Sequence, residues 1–295
     1  MLLWIPATLA ASVLQVGRNA LQRGLLPKSG PWAATLVRFL FGLPFALLAA
    51  LVLYALTPGA AVHLSRAFWT DALTGAFCQV LATACLLVAM RRAGFAVGTS
   101  MQQSSLPLAA ILGLILFQDQ LTAVAWVGVG LTSAALLALT WPRQAASGPQ
   151  PVSGGVFGLL SGLCFGYALN AYRHADLAMD ASHPLFAAAA TVTVTQACQS
   201  LGLALLLALW DRPALRSVFT AWRPSLGAGL CGALASICWL LALGLQPAAS
   251  VRALGVVEAP VAALAGRRLF SEKLSLVQWI AGAVVAIGVA MTALG

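Results

Sequence analysis

The sequence predicts an all-α polytopic membrane protein: ten transmembrane helices arranged as two inverted five-helix repeats. Three observations predict it. Of 295 residues, 61% are hydrophobic and only 8% are charged, and the mean hydropathy is +0.94. A soluble domain carries roughly 25% charged residues, so this chain cannot cover a globule with a solvated surface. That excludes a soluble enzyme, a disordered protein and a disulfide-framework domain. Apolar runs of bilayer length, about 20 residues, recur along the chain. The chain also repeats itself at an offset of 153 residues.

The runs lie at roughly 3–22, 32–54, 72–90, 95–117, 121–140, 153–172, 184–209, 225–245, 247–270 and 275–294. Only helices or closed barrels satisfy the backbone in lipid, and runs this long are helices. The first lacks the basic start of a signal peptide. It carries Gln15, Arg18, Asn19 and Gln22 at helical steps of three or four, which places them on one face. The second contains Arg38 and the third Gln79 and Thr83. The fourth opens on Thr99, Ser100, Met101, Gln102, Gln103, Ser104 and Ser105, all but one of them polar, just before Pro107. Polar groups all round one turn cannot all face lipid. Gly128 and Gly130 in the fifth are packing glycines, because no strand precedes them. Gly158, Gly162 and Gly166 in the sixth form a close-packing seam, and Tyr167 and Asn170 share a face. The seventh holds Gln196 and Gln199, the eighth Trp239, and the ninth Arg252, Glu258 and Pro260.

The repeat is visible without gaps. Comparing 69–142 with 222–295 gives 18 identities in 74 positions, among them Trp69 with Trp222, Cys78 with Cys231, Cys85 with Cys238, Pro107 with Pro260 and Trp126 with Trp279. Shared Ala and Leu follow from composition, but matched Trp, Cys and Pro do not. The first copy occupies 1–142, a polar linker 143–152, and the second copy 153–295. Five spans per copy force the second copy to lie upside down. Secondary transporters have that architecture, with a substrate site near the midplane.

Two segments, Ala89–Leu139 and Ala242–Leu294, resemble the C-terminal part of an EamA-type domain of the drug/metabolite transporter superfamily. The shared pattern is a Pro in the fourth helix, an apolar run ending in a Gly-Glu-Arg/Lys-Leu-like turn, and a Gly-rich fifth helix. The turns here are Gln118-Asp119-Gln120-Leu121 and Ser271-Glu272-Lys273-Leu274, and Val37-Arg38-Phe39 resembles the arginine of the family's second helix. The first turn departs from the pattern, and Thr191 stands opposite Arg38, so the arginine is not duplicated. The resemblance implies ten helices around a central cavity, alternating access, and export of amino acids, metabolites or drugs across a bacterial inner membrane.

A charge at the bilayer centre costs about 2.5–3.5 kcal/mol on the insertion scale, so it faces the bundle or water. Arg38, Arg252 and Glu258 are such charges, with Arg18 a fourth. Arg252 and Glu258 are six residues apart, about 120° round a regular helix. Either the ninth helix breaks near Gly255, or Glu258 pairs with Arg18 or Arg38. The expected cavity set is Gln15, Arg18, Asn19, Arg38, Gln79, Thr99, Gln102, Gln103, Tyr167, Asn170, Trp239, Arg252 and Glu258, with helix breaks at Pro107 and Pro260.

His63, His174 and His183 are all expected in loops, and no Asp falls within a predicted span. No enzyme, cofactor, metal or nucleic-acid partner is therefore expected. The expected partners are a small-molecule substrate and the lipid bilayer. A coupling proton on Glu258 is left open, and two fused repeats make a monomer sufficient. The expected function is secondary transport of a small metabolite such as an amino acid or organic anion. The alternatives are a proton-coupled exporter of cationic solutes and a channel. Odd-numbered loops, with Arg18 close by, hold twelve of the basic residues and even ones only Arg66 and Arg173. The positive-inside rule then puts the termini outside, whereas the resemblance puts them in the cytoplasm.

Overall fold

The structure, a computed structural model, describes residues 2–140, 151–220 and 222–258, together with six positions between 280 and 291. Most of the linker 143–152, the Pro260 break and most of the tenth span lie outside the described residues. Among the described residues there are eleven helices and no strand: α1 (Trp4–Leu40), α2 (Leu43–Leu56), α3 (Arg66–Ala93), α4 (Phe95–Gln102), α5 (Ser105–Leu116), α6 (Ala123–Thr140), α7 (Pro151–Asp180), α8 (Pro184–Trp210), α9 (Arg212–Thr220), α10 (Trp222–Leu245) and α11 (Ala248–Gly255).

Five stretches are long and apolar enough to cross a membrane: Ser29–Leu56, Arg66–Ala93, Val152–Asp180, Pro184–Trp210 and Trp222–Leu245. Leu48, Phe77, Leu201 and Leu209 are exposed, whereas Arg18, Arg38, Gln103, Asp176 and Glu258 are buried. In a soluble protein such charged and strongly polar side chains stay mostly at the surface. Here lipid is the solvent for the exposed leucines, and the chain is a multi-pass membrane protein.

Several helix limits differ from the sequence reading, each for a local reason. The first two spans join in α1 across a kink at Gly30, whose φ of 71° and ψ of 173° suit glycine alone. α1 stops at Leu40 because Pro44 cannot donate to the Leu40 carbonyl and its ring would strike it. The same rule acts at Pro107. Its fourth-preceding residue is Gln103, and α4 gives way to α5 at Gln103 and Ser104. The sixth span does not end at 172. Tyr172, Ala175, Asp176, Met179 and Asp180 continue its buried face, so α7 runs to Asp180. Consequently His174 lies in a helix and not in a loop, and Asp176 lies within a span. Asp71 is likewise helical, in α3.

The chain forms two compact units, each drawing segments from both halves of the sequence. The first comprises Met1–Val80 and Ala171–Gln246. In it α1 lies along α10, α2 against α8, and α9 against α1. A small-residue and aromatic core of Phe68, Ala72, Ala175, Met179, Phe186, Ala187 and Ala190 fills one end. The tightest approach is at Gly229 of α10, where a Cβ would sit 2.7 Å from the Gly42 nitrogen and against the Phe41 carbonyl. Backbone cannot step aside as a side chain can. Gly229→Ala is therefore expected to cost about 1–3 kcal/mol. Gly227→Ala, whose Cβ would meet only Leu21 Cδ1 at 3.4 Å, should leave the thermal midpoint in detergent unchanged or raised.

The second unit comprises Leu81–Asn170 and Pro247–Gly295. Gly94, with φ of 95°, ends α3 by donating to the Met90 carbonyl at 3.1 Å. The glycine seam of α7 lies where the sequence puts it. Gly158 faces Met101, Gly162 faces Ser104, and Gly166 faces the Ala109 nitrogen, so the seam seats the broken segment α4–α5. On α5, Leu106 and Ala110 pack with Ala249, Ala253 and Val256 of the α11 segment.

Candidate functional site

In the second unit the two helix breaks stand at equivalent places. α4 covers eight residues, 95–102, and α11 eight residues, 248–255. The two ranges differ by the repeat offset at both ends. Each is followed by a two-residue turn, at 103–104 and at 256–257, before helix resumes. A helix end buried in a membrane exposes carbonyls and N–H groups that need partners.

Arg252, in the last turn of α11, bridges the two breaks. Its Nη2 donates to Gln103 Oε1 at 2.6 Å and its Nε to Ser105 Oγ at 2.7 Å. Its Nη1 meets Glu258 Oε2 at 3.2 Å. Both charges are buried, Glu258 completely and Arg252 to 3% exposure. The structure shows the first of the alternatives that the sequence left open. The ninth helix breaks after Gly255, which brings Glu258 to Arg252. The physical reason is that the turn removes the offset of about 120° of a regular helix.

The other expected residues of this unit have smaller roles. Thr99 donates to the Phe95 carbonyl at 2.9 Å, one turn back. Gln102 Oε1 and Gln103 Nε2 are buried with no hydrogen-bond partner among the described residues. Asn170 Nδ2 donates to the carbonyls of Ala109 and Gly166, both at 2.9 Å, and so staples α7 to α5. Tyr167 is half-buried, its ring 5.7 Å from that of Phe117.

The first unit holds a second polar cluster. Gln15 accepts from Trp239 Nε1 at 3.0 Å. Arg18 donates twice to Asn19 Oδ1, at 2.6 and 3.1 Å. Arg38 reaches Ser236 Oγ at 3.4 Å. Both guanidinium stems lie on Gly232 of α10: a Cβ there would meet Arg38 Cγ at 3.1 Å and Arg18 Cδ at 3.4 Å. Two cationic side chains thus share one small-residue site. Nearby Gln196 lies close to Gly42 and is buried, and neither of its polar atoms has a hydrogen-bond partner among the described residues. Gln79 belongs to a separate network, accepting from Tyr172 Oη at 3.0 Å and from Gln199 Nε2 at 2.8 Å.

The expected cavity set left out Ser105, which the sequence placed only in the polar run of the fourth span, and sequence reading missed Tyr172, Arg173, Asp176 and Ser236. Arg173 does not lie in a loop. It is half-buried in α7 and donates to the Leu243 and Gln246 carbonyls, at 2.5 and 2.6 Å, at the end of α10. Asp176, one turn on, faces Thr191 and Arg173. The signal was present in the small residues Ala171, Ala175 and Ala178, which carry the helical face past Arg173. Among the described residues no group of three or more His, Cys, Asp or Glu is placed to hold a metal.

The chain matches no family model and no curated protein. Among solved structures 28 chains match. One crystal structure, described only as that of a protein, aligns with 99% of this chain and 96% of its own at a TM-score of 0.66 and 20% identity. That likeness shows a shared fold over nearly the full length of both chains.

Proposed function

We propose that this protein is a secondary carrier of the drug/metabolite type, an exporter of a small metabolite working by alternating access between two inverted repeats. The observation that carries this reading is the pair of broken helices α4 and α11, eight residues each, one repeat offset apart and joined by buried charge. Broken helices at equivalent positions of two repeats are how carriers offer backbone and charge to a solute at the membrane midplane. A channel needs a ring of equivalent pore residues, and the two copies differ at Thr99 and Arg252 and at Ser105 and Glu258. The EamA resemblance gains one detail: Gln118 adopts a φ of 58° at the position where the family pattern has Gly.

The substrate carries a carboxylate or another anionic group, and Arg18 and Arg38 at Gly232 are the groups to receive it. The second reading, a proton-coupled exporter of cations, draws on Glu258 and on Asp176, a second buried carboxylate. The membrane is a bacterial inner membrane. Arg66 and Arg173 lie in helices, as do Arg91, Arg92, Arg212 and Arg216, so the imbalance of twelve basic residues on the odd side against two on the even side is what favours cytoplasmic odd loops and external termini.

The test is counterflow in liposomes with amino acids, organic anions and lipophilic cations. Accumulation of a carboxylate solute that Arg38→Gln abolishes supports the anion carrier. Accumulation of a cation that survives Arg38→Gln but not Glu258→Gln replaces it with the second reading.

A further inference from the structure

We propose that α9, with the residues that flank it, is a binding site for the phosphate of anionic phospholipids, held at the membrane surface by Arg212, Arg216 and Arg223. It rests on the chain being a membrane protein and is independent of what the chain carries. α9 has nine residues, about 13 Å of helix at 1.5 Å per residue, against a hydrocarbon core of about 30 Å. It joins α8 to α10, so it lies where both reach the membrane surface.

Its faces are sharply divided. Val218 is fully buried, with Ala214 and Leu215 half-buried beside it. Arg212, Arg216 and Phe219 are exposed. At 100° per residue the three exposed side chains fall within about 60° of one another, so both arginines and an aromatic ring occupy one outward arc. Trp210 and Trp222 bracket the helix, 83% and 50% exposed. Exposed Trp and Phe mark the headgroup level, where apolar rings meet polar water. Arg223 stacks over Trp222, its guanidinium carbon 5.4 Å from the ring centre.

The charges call for an external anion. Arg212 and Arg216 are four residues apart, and like charges at that spacing repel on a helix. The acid of this segment, Asp211, is committed to the helix start, where its Oδ1 accepts from the Ala214 N–H at 3.0 Å. Arg212 spends Nε on the Ala208 carbonyl at 3.0 Å, which fixes its stem and leaves the rest of the fork facing outward. Arginine forks match phosphate oxygens in geometry and charge. Each basic side chain near an anionic leaflet adds attraction, and the three together should give a preference of about tenfold.

The test uses the full chain in detergent, titrated with phosphatidylglycerol or phosphatidylcholine and read by native mass spectrometry. Wild type should retain phosphatidylglycerol at concentrations about tenfold lower than phosphatidylcholine, and R212Q/R216Q/R223Q should bind both alike. Millimolar inorganic phosphate should not compete, because the apolar flanks select a lipid. Should loss of the Arg212 contact prevent folding, R216Q/R223Q removes only outward charge and should lower the preference severalfold. A folded variant with the wild-type preference, or displacement of the lipid by free phosphate, would overturn the site.

Discussion

Arg252→Met is expected to lower stability by about 3–5 kcal/mol. Three partners lose their donor at once: Gln103, Ser105 and Glu258. Glu258 is fully buried, so its carboxylate would lose its salt-bridge partner in a medium where ions are poorly solvated. The two helix breaks would also lose the side chain that bridges them. Glu258→Gln should cost less, since an amide oxygen still accepts from Arg252. The double variant Arg252→Met, Glu258→Leu should recover much of the loss, because an apolar pair replaces an ion pair without leaving a charge. Unfolding by SDS titration of these proteins, with Glu258→Leu added to complete the cycle, measures the coupling. A double variant no more stable than Arg252→Met would show that the break geometry, and not the charge pair, requires the arginine.

Arg38→Gln is expected to slow exchange of a carboxylate solute by about 10- to 150-fold, the range of one charge-assisted hydrogen bond. The fold should tolerate it, since a neutral amide is easier to bury than a guanidinium. Arg38→Lys keeps the charge and loses the planar fork, so its activity should lie between the two. Loss of folding in Arg38→Gln with normal exchange in Arg38→Lys would make Arg38 a packing residue.

The all-helical, multi-pass membrane character was legible because composition and long apolar runs are strong signals. The break in the fourth span was legible too. Pro107 forbids the hydrogen bond to Gln103, and the polar cluster from Thr99 to Ser105 marks where backbone is opened. The partner of Glu258 was legible only as one of two alternatives, because a two-residue turn after Gly255 reorients the chain and no periodicity encodes it. Asp176 was lost to a different cause. Arg173 and His174 looked like the polar end of a helix, but Arg173 turns its charge to the carbonyls at the end of α10, and the helix passes through. Gln196 and Ser236 sit in ordinary apolar helices, and only the packing around Gly42 and Gly232 makes them neighbours of arginine.

The most direct measurement of the carrier mechanism is trans-stimulation in proteoliposomes. Vesicles are loaded with a carboxylate solute that the protein accumulates, and uptake of labelled solute is followed with and without unlabelled solute inside. Alternating access predicts that internal solute accelerates uptake and that the rate saturates with external concentration. Uptake that rises linearly and ignores internal solute would contradict a carrier and make the broken helices part of a channel.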